Sequence, residues 1–273
     1  MEINSTENIV FGEPVITASV VGFTGFISLL INGFVLYKII VQKIFGRVFG
    51  WIWISRAMAF IVSSMLLIVV YVPAIAIDES LLNTTLFLVA SQIKLTCSMS
   101  EVLSNLLIAI NRSVLINRPF KYTTLFTDCN TIIMIILVWT VSTVAVAPFS
   151  TLPMCRNRSA QNDVLLQSRF DCVLAQIIVM LVAIWIISIV TLLVIYFAIN
   201  KLRQLKKLTD QEDRKKQLNI CYMIAIQSVL TSIMMIYVTA GKLNDDPFIQ
   251  LMSEGFLWTF RDIIDGAFVI VFM

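Results

Sequence analysis

Charged side chains interrupt several long apolar stretches of this 273-residue sequence, and they are the residues best placed to do chemistry. If those stretches cross a membrane as helices, Arg56, Glu101 and Asp265 lie at depths of about 12–15 Å. A charge at that depth is costly unless it is paired or serves a function. We therefore expect Arg56, Glu101 and Asp265 to form a buried ionic layer, with Asp262 slightly above them. The alternative is a charge that faces a water-filled cavity alone.

A second intramembrane charge, Lys94, is the first candidate for ligand binding. It lies seven residues before Glu101, so both side chains project from the same face of a helix. Its ammonium group can receive a carboxylate or another acceptor of a ligand. The alternative is a structural ion pair with Glu254. Gln92 and Trp258 are weaker candidates, because tryptophan also serves in packing and in interface belts.

The composition excludes several kinds of catalysis. The chain has no histidine, which excludes His-ligated zinc, a histidine switch and hydrolases built on Ser-His or Cys-His. Its five cysteines form no C-x-x-C pair, and no nucleic-acid motif or basic stripe is present. We expect no enzyme, cofactor, metal or nucleic-acid partner. An aspartyl hydrolase through Asp262 or Asp265 lacks its usual Gly-x-Gly-Asp context.

The elements that must hold these residues are transmembrane helices. Apolar residues make up 59% of the chain and charged residues 14%, against about 50% and 25% in soluble domains. A spanning helix needs about 20 apolar residues, and its backbone must satisfy its own hydrogen bonds. The sequence predicts one all-α domain over residues 1–273, a seven-transmembrane helix bundle. The predicted spans are 15–41, 48–73, 84–110, 131–153, 173–199, 217–240 and 248–273.

The distribution of lysine and arginine predicts the orientation of the bundle. With the N-terminus outside, the inner loops hold 13 of the 20 basic residues and the outer loops hold four. Because cytoplasmic loops carry the basic excess, we expect an extracellular N-terminus and a cytoplasmic C-terminus. The residues before the first span include Glu2, Glu7 and Glu13 but no basic residue, which favours an uncleaved first helix.

Two modifications fit the predicted outer segments. Asn4, Asn83 and Asn157 begin N-x-S/T tripeptides there and are candidate glycosylation sites. Cys155 and Cys172 both lie in the second outer loop, where oxidising conditions permit a disulfide. Two free thiols are the alternative.

A polar signature follows the third span and carries a family resemblance. Asn111-Arg112 precedes Pro119, Lys121, Tyr122 and Phe126, giving N-R-x6-P-x-K-Y-x3-F. This order resembles the inner signature of nematode serpentine chemosensory receptors, in particular the class X (Srx) branch. Other stretches agree with the resemblance: Gly22 to Asn32, Phe49-Gly50, Ser55-Arg56-Ala57, Pro73, Trp139, Gln227-Ser228, Trp258 and Asp265-Gly266.

The resemblance implies a G-protein-coupled receptor for a small environmental or pheromone-like ligand. It places the protein in the plasma membrane, in the cilia of sensory neurons, with a heterotrimeric G protein as partner. The residues implied in coupling are Arg112, Pro119, Lys121 and Tyr122. In the wider rhodopsin-like group an acid stands where Asn111 stands here. Since Asn111 cannot form an ion pair with Arg112, any inactive-state contact of Arg112 requires another partner.

The third inner loop also favours coupling. Leu202, Leu205 and Leu208 recur every three residues among basic side chains, which predicts that the fifth helix continues as a basic amphipathic helix. Lys206 and Lys207 on it can engage a G protein or anionic membrane lipid. The alternative for either lysine is that it only belongs to the general excess of basic residues in cytoplasmic loops.

A ligand-gated channel or a transporter is the competing class. Transporters show inverted repeats or matching broken helices, and no such pairing is visible in this sequence. Seven-helix channels of the insect olfactory type have a cytoplasmic N-terminus, which the basic bias opposes. We therefore favour a receptor.

Overall fold

A computed structural model of the chain describes residues 5–77, 84–151, 163–204, 211–242 and 253–272, with side chains from residue 15 onward in most of these ranges. Within them the chain is helical and contains no strand, so the predicted all-α fold is confirmed. The helices are α1 (Ser5–Gln42), α2 (Arg47–Leu66), α3 (Val72–Ala76), α4 (Thr85–Asn117), α5 (Pro119–Leu125), α6 (Asp128–Thr151), α7 (Asp163–Gln204), α8 (Gln211–Lys242) and α9 (Trp258–Phe272).

Six helical segments of the described chain are long and apolar enough to cross a membrane. They are Val15–Gln42, Arg47–Ala76, Thr85–Asn117, Asp128–Ala147, Ile178–Gln204 and Gln211–Gly241. The last helix, α9, has 15 residues and follows a π-helical turn over Ser253–Leu257. Turn and helix together lie within the predicted seventh span, 248–273.

A second π-helical turn joins α2 to α3. It covers Leu67–Tyr71, and Pro73 then lies in the first turn of α3, where its missing N–H requires no partner. The helix therefore continues past Pro73 to Ala76 instead of ending at the proline. The extra residue of a π turn rotates the following side chains relative to those before it. Tyr71, the last residue of the turn, is buried toward the N-terminal end of α4, where its hydroxyl donates to Ser91 Oγ.

The bundle buries polar side chains and exposes apolar ones, as a lipid-facing protein requires. The central helix is α4, which packs against α2, α6, α7 and α8, while α1 packs against α2, α3 and α9. Asn32, Thr131 and Gln227 are buried, whereas Phe23 and Leu86 are exposed. Lipid replaces water around these exposed side chains, so the polar groups gather inside, where they can pair with one another.

A close approach between α1 and α9 depends on Gly266. A Cβ atom at this position would lie 2.6 Å from Ile31 Cγ2 and 3.1 Å from Asn32 Oδ1. Such a contact is too short for any side chain larger than hydrogen, so the two helices meet only because this residue is glycine. The approach also allows Asn32 Nδ2 to donate to the Asp262 carbonyl oxygen at 3.4 Å.

Candidate functional site

A buried ion pair lies at the meeting point of α2, α8 and α9. Arg56 Nη2 donates to Asp265 Oδ2 at 3.0 Å, and Arg56 Nη1 donates to Gln227 Oε1 at 3.1 Å. Gln227 Nε2 in turn donates to the backbone oxygen of Asp265 at 3.2 Å. All three side chains are almost fully buried. The amide of Gln227 thus links the arginine to the helix that carries its acid.

A second buried cluster lies next to it on α4 and α9. Arg261 Nη2 donates to Glu101 Oε2 and also to Asp262 Oδ1, the latter at 2.8 Å. The four acids and bases expected in the ionic layer therefore lie together, but Glu101 contacts Arg261 and not Arg56. Sequence reasoning assigned no partner to Arg261. The signal for such a partner was the position of Arg261 within an apolar span, since an intramembrane arginine also needs a counter-charge.

Aromatic rings pack against both guanidinium groups. The Phe60 ring lies 5.1 Å from the Arg56 guanidinium carbon and 6.0 Å from that of Arg261. Trp53 lies 5.1 Å from Arg56, and Trp258 lies 4.3 Å from Arg261. Since a π-face attracts cations, the rings stabilise both charges. Two arginines can therefore share one layer of the bundle.

Trp258 and Lys94 lie on the side of the layer toward the start of α4. Trp258 Nε1 donates to Ser98 Oγ at 2.6 Å, which ties α9 to α4. The ammonium of Lys94, one turn before Ser98, lies over the Tyr71 ring at 4.7 Å. Gln92 Oε1 is buried and accepts no hydrogen bond from the described residues. Glu254 lies in the adjoining π-helical turn, and its side chain is outside the described set.

The opposite end of α4 carries a polar contact with α8. Arg112 Nη1 donates to Gln217 Oε1 at 3.1 Å, and its guanidinium carbon lies 3.5 Å from the centre of the Phe49 ring. Asn111 Nδ2 donates to the Tyr122 hydroxyl at 3.4 Å, which holds α5 against α4. Gln217 was missed in the sequence because an uncharged glutamine near the start of a helix looks no different from one that faces water.

Comparison with known proteins decides the family. Residues 20–273, nearly the whole chain, match the family described as Serpentine type 7TM GPCR chemoreceptor Srx. The chain belongs to the Srx family. Comparison with curated protein sequences gives no match. Membership confirms the suspected Srx branch, a seven-helix multi-pass membrane protein and a chemosensory receptor role.

Several residues that carry the Srx resemblance contact one another in the folded chain. Trp139 Nε1 on α6 donates to Ser55 Oγ on α2 at 2.9 Å. Ser55 precedes Arg56, so this bond fixes the helix next to the ion pair. Asn32 Nδ2 donates to Ser28 Oγ at 3.3 Å, and Ser64 Oγ donates to Ser28 Oγ at 2.9 Å, which connects α1 to α2.

The remaining candidate residues of this Srx receptor are either exposed or lie outside the part of the chain that the structure describes. Pro119 and Lys121 are exposed on α5, next to Tyr122. Cys172 lies in α7, but its side chain is outside the described set. Other candidates lie wholly outside the described residues, and they are Asn4, Asn83, Cys155, Asn157, Lys206 and Lys207.

Proposed function

We propose that this Srx receptor binds a small environmental or pheromone-like ligand from the outer side of the plasma membrane and signals to a heterotrimeric G protein. Its site of action would be the cilia of sensory neurons. The observation that carries the proposal is the match of residues 20–273 to the Srx chemoreceptor family. Two polar ends of the same helix, α4, then supply a ligand side and a coupling side.

The proposed ligand site includes Lys94, Gln92, Glu254 and Trp258. Lys94 and Trp258 are buried near the start of α4 and α9, and Gln92 has a buried oxygen without a hydrogen-bond donor among the described residues. A ligand with an acidic or acceptor group would approach Lys94, and one with an N–H or O–H would satisfy Gln92. Because Trp258 contacts Arg261, a ligand at this site can act directly on the buried charges.

The proposed coupling side includes Arg112, Pro119, Lys121 and Tyr122 on α4 and α5, with Lys206 and Lys207 after α7. The bond from Arg112 to Gln217 joins α4 to α8, so it holds the two helices together at this end. We expect this contact in the resting receptor, where Gln217 serves as the partner of Arg112 that Asn111 cannot be. Separation of α8 would then release the Arg112 guanidinium for the G protein.

The orientation follows from the basic bias of 13 inner against four outer residues, so we propose an outer N-terminus. An epitope tag at the N-terminus should label on intact cells, and a C-terminal tag only after permeabilisation. The Cys155–Cys172 disulfide and glycans at Asn4, Asn83 and Asn157 belong to the same proposal. Non-reducing peptide mapping and glycosidase treatment test them. Two alkylatable thiols, or a C-terminal tag that labels on intact cells, would contradict it.

An agonist screen tests the function as a whole. Cells with surface-verified receptor should give a signal that depends on a co-expressed G protein. The variant Arg112→Ala should lose the signal and keep agonist binding, while Arg118→Ala, exposed beside the same helix end, serves as the matched control. Lys94→Ala should weaken the response to an acidic agonist. An ion flux through receptor in liposomes, without any G protein, would instead support a channel.

A further inference from the structure

Among the described residues of the buried layer, three carboxyl groups contact only two guanidinium groups. Arg261 Nη2 donates to both Glu101 Oε2 and Asp262 Oδ1, so one guanidinium serves two acids. The other guanidinium, that of Arg56, is paired with Asp265 at 3.0 Å. Two carboxylates on one nitrogen, in an interior of low dielectric, repel each other and lose hydration. One of them is therefore favoured in its neutral form.

Two buried oxygen atoms indicate which acid is neutral. Asp265 Oδ1 also lacks a donor, but Arg56 pairs with Asp265 alone; Glu101 Oε1 and Asn105 Oδ1 likewise accept no hydrogen bond from any described residue. The exposed fractions of the two residues are only 2% and 5%. Residues four apart on a helix are neighbours on one face, so these two oxygens lie on the same side of α4. Two buried acceptors without a donor are unfavourable, whereas a proton on one of them allows a hydrogen bond between neighbouring acceptors.

The contacts of Asp262 favour its charged form. Asp262 Oδ1 accepts from Arg261 Nη2 at 2.8 Å and from Arg261 Nε at 3.2 Å. Two hydrogen bonds from one guanidinium to a single oxygen stabilise an anion. Glu101 accepts a hydrogen bond through Oε2, from a nitrogen that it shares with Asp262, and its Oε1 accepts none from the described residues. The proton therefore belongs on Glu101.

We propose that Glu101 is a proton-binding site: in the folded receptor it is a neutral acid whose proton lies on Oε1 in a hydrogen bond to Asn105 Oδ1. The proton comes from water, and no other group changes charge. Two guanidiniums, two carboxylates and one neutral acid then make the layer electrically neutral. This inference does not depend on which ligand or G protein the receptor uses.

The other charged and titratable groups around Glu101 come from three helices. On α9 they are Arg261, Asp262 and Asp265, on α2 Arg56, and on α4 itself Lys94 and Cys97. Lys94 lies two turns from Glu101, with its ammonium over the Tyr71 ring. At the same level α8 contributes the uncharged Gln227 and α1 the uncharged Asn32. Neither can neutralise a third carboxylate.

Infrared spectroscopy of the purified receptor in lipid nanodiscs tests the proton directly. The wild-type protein should show the C=O band of a protonated carboxylic acid, shifted in D2O, and Glu101→Gln should lose that band. Glutamine can accept from Arg261 and donate to Asn105, so its folded yield should stay within about twofold of wild type. Asp262→Asn should retain the band. A wild-type spectrum without the band, or one that loses it in Asp262→Asn, would overturn the proposal.

The variant Asn105→Ala tests whether Asn105 accepts the proposed hydrogen bond from Glu101. The test can be read even if this variant is less stable than the wild-type receptor. Without Asn105 Oδ1 the acid proton loses its hydrogen bond, so the C=O band should move to higher frequency. Ser104→Ala, at a buried neighbouring position, should leave the band unmoved. An unmoved band in Asn105→Ala would contradict the assigned partner. If a sodium ion occupied the site in place of the proton, the melting temperature would be higher in sodium chloride than in choline chloride. That result would also overturn the proposal.

Discussion

The Arg56 guanidinium on α2 lies 3.0 Å from a carboxylate oxygen of Asp265 on α9, and both side chains are almost completely buried. These residues are 209 positions apart in the sequence. The net contribution of such a pair to stability is small, because desolvation offsets the attraction. Removal of one partner is a different matter, since it leaves an uncompensated charge in the interior. The pair therefore fixes how α2 and α9 face each other.

Removing one charge of this pair should cost more than removing both. Arg56→Met should destabilise the receptor by about 3–5 kcal/mol, a large share of a typical folding free energy of about 5–15 kcal/mol. Arg56→Met combined with Asp265→Leu should recover much of the loss, because no buried charge remains. The measurement is surface receptor by flow cytometry of an N-terminally tagged chain, together with the melting temperature in detergent.

The control for that experiment is an exposed ion pair of the same chemistry. Arg47 lies 3.1 Å from Asp128, with side-chain exposures of 80% and 38%. Exposed pairs contribute about 0–1 kcal/mol, so Arg47→Ala should change surface level little. A double variant at 56 and 265 that is no better than the worse single variant would contradict the prediction.

Loss of the contact between Arg112 and Gln217 should raise signalling in the absence of agonist. A hydrogen bond to a charged group is worth about 1.5 kcal/mol, which corresponds to about a tenfold shift of an equilibrium. Gln217→Ala should therefore increase basal signalling severalfold, and Gln217→Glu should lower it by forming an ion pair. Gln211→Ala, at the exposed start of the same helix, is the matched control. Equal basal signals in all three variants would exclude this contact as a restraint.

The hydrogen bond from Trp258 to Ser98 predicts a non-additive pair of variants. Trp258→Phe removes the donor and Ser98→Ala removes the acceptor of a 2.6 Å bond between α9 and α4. Each should lower stability, with a coupling energy of about 1 kcal/mol between them. Ser100→Ala is the control, since that hydroxyl donates to the Cys97 carbonyl of its own helix. Additive effects of Trp258→Phe and Ser98→Ala on the melting temperature would show that the bond is not formed.

Gly266→Ala should push α1 and α9 apart. The new methyl group would lie 2.6 Å from Ile31 Cγ2, and overpacking of this kind costs about 1–3 kcal/mol. Gly33→Ala, where no atom lies within 4 Å, should be tolerated. Ile31→Ala should partly restore the surface level of Gly266→Ala, because it removes the nearest contact. If both alanine variants reach wild-type surface levels, the close approach is absent in the membrane.

The sequence identifies the buried charges more readily than it pairs them. Arg56, Glu101, Asp262 and Asp265 stand out because ionic residues are rare in apolar spans. Their partners depend on how each helix is rotated and where it is displaced by a π-helical turn. Those offsets come from contacts between distant segments, such as Gly266 against Ile31. Arg261 was visible as a charge, yet its contact with Glu101 was not predictable from its position alone.

The amino-acid sequence by itself determines that this chain is helical and membrane-spanning, and its polar signature predicts its family. These properties are set by composition and local order: apolar runs must form helices in lipid, and motifs are read along the chain. Only the tertiary structure decides that Arg56 meets Asp265, that Arg261 serves both Glu101 and Asp262, and that Arg112 reaches Gln217. The physical reason is that these pairings depend on helix rotation and depth, which many weak packing contacts fix together.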